Sequence, residues 1–302
     1  MANPPSQGLM PERQISARRA EALAARLPPL LVAAERVAAT VAQGVHGRRR
    51  VGQGESFWQF RPFLPGDGLT RIDWRQSAKS DRAFVRETEW EAAQTVCLWR
   101  DGSASMRWKS RGAAVEKRER AELLLLALAA LLLRGGERVR LITAGGTGSR
   151  ITSGSAALEG LADALARGDG CPPEAVGRDM VLPRHARAVL IGDFLAPLEG
   201  TRDMVGRLAA MPLRGHLVQI LDPAEAVLPY SGRVRFFGVS REQETTIPRV
   251  EGVREAYANR LAAQQQGLAD LCSAAGFTFS IHHTDHPPET ALQGLFTSLS
   301  GR

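Results

Sequence analysis

An α/β fold built on a doubly wound, mostly parallel sheet is what this sequence predicts, and three observations predict it. Short runs rich in Val, Ile and Leu recur after residue 91, over residues 95–99, 138–143, 186–191, 216–221 and 277–282. Helical segments alternate with them, over 113–134, 156–167, 197–210, 250–275 and 289–300. The strands carry little polar alternation, so both of their faces are buried, as in a parallel sheet between two layers of helices. The chain has 302 residues, 44% hydrophobic and 24% charged, which suffices for one large domain or two small ones.

The elements divide the chain into three parts. Residues 1–29 read as a flexible N-terminal segment: the first fifteen are polar with prolines, and Pro28-Pro29 interrupts the Ala- and Leu-rich run that follows. Residues 30–91 read as a helix plus a small β-rich extension. The helix covers 30–43, with Leu30, Val37 and Val41 near helical spacing. The extension holds Phe57, Trp58, Phe60, Phe63, Trp74, Phe84 and Trp90 around a Pro65-Gly66-Asp67-Gly68 turn. Short strands are expected near Ile72 and Trp74 and again at Phe84 and Val85, with the large Trp74 side chain buried. Residues 92–302 form the α/β domain. Its first long helix is closed by Gly135-Gly136, and one further strand is expected over 233–239.

Composition excludes several classes. The longest apolar run, 123–133, has eleven residues between Glu122 and Arg134. A bilayer-spanning helix needs about 20, so a buried helix is expected instead. The N-terminus lacks an apolar secretion core. Cys97, Cys171 and Cys272 are odd in number, far apart and without a C-x-x-C pair. That argues against a disulfide framework or a structural zinc site and points to a cytoplasmic protein.

The net charge of +7 is concentrated. Residues 1–120 hold 21 Lys/Arg against 13 Asp/Glu, and the remainder holds 18 against 19. An anionic partner or plain solvation would each account for the excess. Arg48-Arg49-Arg50 near Phe57, Trp58 and Phe60 has the charge and stacking surface of a nucleic-acid site. Packing of those aromatics within the extension is the preferred reading, because such clusters more often form core.

In an open parallel sheet, ligands bind beyond the carboxyl ends of the strands. Asp101, Ser103 and Ser105 follow the first strand, alternating with Gly102 and Ala104, and Asp193 follows the third. In a near-extended segment, alternate side chains point the same way, so one carboxylate and two hydroxyls converge. These are hard oxygen donors suited to Mg²⁺, with Mn²⁺ as the other candidate, and Asp193 supplies a second carboxylate directly or through water.

Asp101-x-Ser103-x-Ser105 together with Asp193 resembles the metal-ion-dependent adhesion site of von Willebrand factor A domains. Gly66-Asp67, Arg71-Ile72-Asp73-Trp74-Arg75-x-Ser77-Ala78, Val85-Arg86-Glu87 and Asp222-Pro223-Ala224-Glu225 resemble the DUF58 family, over roughly residues 30–300. The resemblance implies a von Willebrand A-like domain that coordinates Mg²⁺ and binds a protein partner. A MoxR-type AAA+ ATPase is the candidate partner, since genes of the family often neighbour such ATPases. Many relatives carry membrane helices before the domain, and none is expected here. The adhesion site normally includes a threonine after the second strand. That loop offers Thr147, Thr152, Ser153 and Ser155, and the spacing selects none of them.

Three other constellations bear on function. A phosphoryl hydrolase using Asp101 as nucleophile is the enzymatic alternative. No D-x-D pair follows the first strand, no lysine is expected beside Asp193, and Gly145–Gly148 does not complete a phosphate-binding loop, so binding is preferred to bond-breaking. The charged block Arg71, Asp73 and Arg75 reads either as a partner-docking loop or as ion pairs holding the extension. His282-His283-x-Asp285-His286 has metal-ligand residue types, but at a strand end the rings are expected to alternate and diverge, leaving a solvated loop.

Overall fold

Five parallel strands form the centre of the larger of two units in the computed structural model. The model describes residues 27–45, 56–64, 72–79, 82–89, 93–143, 155–168, 170–178, 180, 182–238 and 244–300. Residues 46–93 form one unit and the rest of the chain the other.

The larger unit begins with helix α1 (Leu27–Val45). Pro28 and Pro29 lie inside its first turn, where backbone N–H groups have no helical partner, so the pair starts this helix rather than interrupting it. The sheet strands are β3 (Thr95–Arg100), β4 (Arg138–Leu141), β5 (Arg187–Gly192), β6 (Arg214–Leu221) and β9 (Thr278–His283). Their spatial order is β4-β3-β5-β6-β9, with every neighbouring pair parallel. Connectivity runs outward in one direction to β4 and then in the other from β5 to β9. The reversal lies between β3 and β5, which is the switch point of a doubly wound sheet.

Alternating residues of each strand enter different cores. Val96, Leu98, Val189, Ile191, Val218 and Ile220 pack with α1, α3 (Lys117–Arg134), α4 (Ser155–Ala166) and α8 (Pro288–Ser300). Cys97, Trp99, Ala188, Leu190 and Leu217 pack on the other face with α5 (Leu198–Ala209) and α7 (Arg254–Ala274). Helix α3 is buried along nearly its whole length, which explains its unbroken Leu/Ala run. Among the described residues, no helix is long and apolar enough to cross a membrane. All three cysteines are free and buried.

Helix α1 belongs to the sheet's core and not with the extension, because Ala34, Val37, Ala38 and Val41 are buried in the α3 cluster. The expected strand over 233–239 is a three-residue one, β7 (Val234–Phe236). It pairs antiparallel with β8 (Thr245–Ile247) outside the main sheet.

The smaller unit is an antiparallel pair, β1 (Ser56–Pro62) and β2 (Phe84–Glu89), with a one-turn helix α2 (Trp74–Ser77) between them. Ile72 bridges Val85 and is buried, as its pattern predicts. Trp74, expected in a strand and buried, instead starts α2 with 68% of its surface exposed. Asp73 redirects the backbone there: its side chain caps the helix by accepting from the Gln76 N–H at 2.9 Å.

Candidate functional site

The carboxyl ends of β3 and β5 deliver Asp101 and Asp193 to the switch point, each only 3% exposed. Asp101 is held by backbone neighbours, Ile191 of β5 and Cys171. Its backbone N–H donates to Ile191 O at 2.9 Å, and it bridges Cys171 in parallel register. Asp101 Oδ1 accepts from the Ser103 N–H at 2.8 Å. The Ser103 side chain also hydrogen-bonds this carboxylate. The Ser103 and Ser105 hydroxyls lie 2.9 Å apart. The carboxylate and two alcohols that the sequence places on one side therefore do come together. The segment is not extended throughout: Ser103 precedes a short 3-10 turn, Ala104–Arg107, which contains Ser105 and buries Met106.

Burial, reinforced by the negative charge of Asp193, pushes the Asp101 carboxyl up to about 6 against the opposing pull of the Ser103 N–H. Gly192 makes the close approach possible. A Cβ there would lie 3.1 Å from Asp101 Cβ and 3.3 Å from Oδ2.

Asp193 has a partner that sequence reasoning excluded. The Lys117 ammonium, on a residue 1% exposed at the start of α3, lies 2.9 Å from Asp193 Oδ2 and 2.5 Å from Glu225 Oε1. The expectation of no lysine beside Asp193 is therefore overturned: the two residues are 76 positions apart and the fold brings them together. Burial alone would lower the Lys117 pKa, but Asp193 and then Glu225 more than reverse that, and the ammonium is held charged. Trp108 offers its ring face 5.8 Å away.

Glu225 comes from the Asp222-Pro223-Ala224-Glu225 element, which forms the first turn of α6 (Pro223–Val227) at the end of β6. Asp222 and Glu225 cap that turn reciprocally: Asp222 Oδ1 accepts from the Ala224 N–H, and Glu225 Oε2 accepts from the Asp222 N–H. Asp222 Oδ2 also accepts from the Ser110 N–H, tying the loop after β3 to the end of β6. Four carboxylates and one ammonium thus gather at the ends of three adjacent strands. Burial pushes the Glu225 carboxyl up, while Lys117 pulls it back.

The remaining expected residues fall elsewhere. In the smaller unit, Arg75 is exposed, Asp73 serves as a helix cap, and Arg71 lies outside the described residues. Thr147, Thr152 and Ser153 also lie outside them, as do Gly145–Gly148 and Arg48-Arg49-Arg50; Ser155 begins α4. The histidine loop differs from its expected form. His282 turns inward and is buried, but His283, Asp285 and His286 converge, with ligand atoms all within 4.8 Å of one another.

Comparison with known proteins places this architecture. A family model described as protein of unknown function DUF58 matches residues 59–267, more than two-thirds of the chain. The chain belongs to the DUF58 family. Uncharacterized protein Rv1480 of Mycobacterium tuberculosis is similar to it, 27% identical over 282 residues, covering 87% of this chain and 85% of that protein. Uncharacterized protein Mb1516 of Mycobacterium bovis matches to the same extent. Two solved structures are also similar. One is the conserved hypothetical protein BatB from Bacteroides thetaiotaomicron (TM-score 0.43, 14% identity, 69% of this chain and 99% of that one). The other is an aerotolerance-related membrane protein from Bacteroides fragilis (TM-score 0.44, 15% identity, with the same coverage).

One substitution tests how tightly the DUF58 site is framed. A Cβ on Gly102 would lie 2.8 Å from the Gly170 carbonyl oxygen and 2.9 Å from its carbon, which are backbone atoms of the segment that bridges Asp101. Gly102→Ala is expected to cost about 1–3 kcal/mol in a urea titration, the usual penalty of overpacking. An unchanged midpoint would show that the 170–171 segment yields freely.

Proposed function

We propose that this DUF58 protein is a Mg²⁺-dependent protein-binding module of the von Willebrand A type, with a MoxR-type AAA+ ATPase as its candidate partner. The observation that carries the reading is the buried Asp101 carboxylate beside the negative charge of Asp193, with the paired Ser103 and Ser105 hydroxyls next to it. An ionised carboxylate held at 3% exposure beside a second carboxylate is stabilised by a cation. The donor set is all hard oxygen, which fits Mg²⁺ or Mn²⁺ and not a thiol- or imidazole-seeking metal.

Asp101, Ser103 and Ser105 would hold the ion, with Asp193 as the further carboxylate. Lys117 neutralises part of the charge on Asp193 and Glu225, so those two groups orient the site without saturating it. Bound there, Mg²⁺ would supply a Lewis-acidic position for a carboxylate of the partner. The partner's acidic residue would fix orientation, and the surrounding surface would provide the rest of the affinity. The enzymatic alternative gains little from Lys117, because both nearby carboxylates already occupy its ammonium.

The test is recovery of a purified MoxR-type ATPase on the immobilised protein in Mg²⁺ and in EDTA. Capture in Mg²⁺ that is lost in EDTA and in Asp101→Ala is the expected result. Equal recovery in both buffers would remove the metal-bridged mechanism, and recovery in neither would remove this partner.

A further inference from the structure

The loop joining β9 to α8 carries a second cluster of metal-ligand side chains, chemically distinct from the oxygen site. His283 ends β9, and Thr284, Asp285 and His286 turn the chain towards α8. Strand alternation sends His282 inward to 4% exposure and leaves His283 on the outer side. The turn then returns His286 to that same side: the His286 N–H donates to His283 O at 3.0 Å, and the two imidazole centroids stand 5.1 Å apart. Asp285 completes the set, with one ligand atom from each of the three residues within 4.8 Å of the others.

The backbone that presents these groups is pinned at several points. The Thr284 N–H donates to Leu221 O at 3.0 Å, fastening the turn to β6. From α3, the Arg120 guanidinium donates to Thr284 O at 2.8 Å and to His286 O at 2.5 Å. The same guanidinium lies 3.1 Å from the inward His282 ring. The loop geometry is thus set before any ligand arrives, which reduces the ordering cost of binding.

We propose that His283, Asp285 and His286 form a Zn²⁺ site that clips the end of β9 to the start of α8. Two imidazoles and one carboxylate suit a borderline cation, with three protein ligands and a fourth position left to water. Zinc–ligand distances of about 2.0–2.2 Å put tetrahedral ligands roughly 3.3–3.5 Å apart. The side chains must therefore close by about 1.5 Å at most, and Asp285 and His286 are exposed. The three cysteines are buried and do not compete at the surface.

The experiment is calorimetric titration of the full chain with zinc chloride in excess Mg²⁺, which separates this site from the oxygen site. One zinc per chain is expected, at least tenfold weaker in His283→Ala and in His286→Ala, and unchanged in Asp101→Ala. Cobalt substitution gives a second readout, a visible absorption of tetrahedral type that both histidine variants lose. Circular dichroism establishes that the variants are folded. Zinc affinity within twofold of wild type in both histidine variants, or no saturable binding at all, would overturn the assignment.

Discussion

Lys117→Met is expected to lower stability by about 3–5 kcal/mol, the cost of removing one partner from a buried ion pair. The magnitude follows from what stays behind. Asp193 is 3% exposed, and Glu225 is fixed by the turn that it caps, so neither carboxylate can turn to water without undoing local structure. The deficit should depend on pH in a definite sense. Burial already raises the Glu225 carboxyl, and losing the lysine raises it further above its unfolded value. The folded variant then binds a proton that the unfolded chain does not, so the variant recovers stability as pH falls and is weakest in mild base. Adding Glu225→Gln removes one stranded charge and should restore part of the loss. If the oxygen site holds Mg²⁺, removing a positive charge beside it should also tighten Mg²⁺ binding. Urea titrations at pH 5 and pH 8 measure the first effect, and calorimetry measures the second. An unchanged urea midpoint would mean that Lys117 is not the counter-charge of this cluster.

That lysine also marks where sequence reading stops. The sheet was legible because burial on both faces leaves a local signature, near-continuous apolar strands spaced by helices. Asp101, Ser103, Ser105 and Asp193 were legible because parallel sheets expose strand ends and those residues directly follow strands. Lys117 sits in the run Glu116-Lys117-Arg118-Glu119-Arg120, which reads as a solvated helix start. Its acceptors lie 76 and 108 positions away, and no local spacing encodes them. One signal was available: Lys117, Ala121, Leu124 and Leu128 follow one another at helical intervals, and all four are buried. Trp74 failed in the opposite direction. Size argued for burial, but the Asp73 cap starts a helix turn that leaves the ring exposed. At the histidine loop, strand alternation correctly separates His282 from His283. The turn beyond the strand then sets His286 beside His283, which a period-two argument could not anticipate.

Asp101→Asn should make the metal-free protein more stable at neutral pH while removing its response to Mg²⁺. Burial and Asp193 raise the Asp101 carboxyl from 3.8 to about 6, so the folded state holds a proton that the unfolded chain releases between those values. Stability contributed by this group therefore falls as pH rises through the window, and the whole penalty, roughly 2–3 kcal/mol, persists above it. Asparagine keeps an oxygen for the Ser103 N–H and carries no charge to bury, so it escapes the penalty. Below pH 4 both proteins carry a neutral group there, and the advantage vanishes. His216 and His282 act with the reverse sign. Burial lowers each from 6.5 to about 4, so the unfolded chain takes up protons first and stability rises with pH between those values. In the wild type, Asp101 offsets part of that rise; in the variant the rise is steeper. Divalent cation separates a working carboxylate from a merely strained one. A ligand at about 100 times its Kd adds roughly 2.7 kcal/mol to a protein that binds it only when folded. The wild-type melting temperature should rise accordingly with Mg²⁺, and that of Asp101→Asn should not. A variant less stable than wild type at pH 7.5 would assign Asp101 to holding the fold, and equal Mg²⁺ shifts in both proteins would move the cation elsewhere.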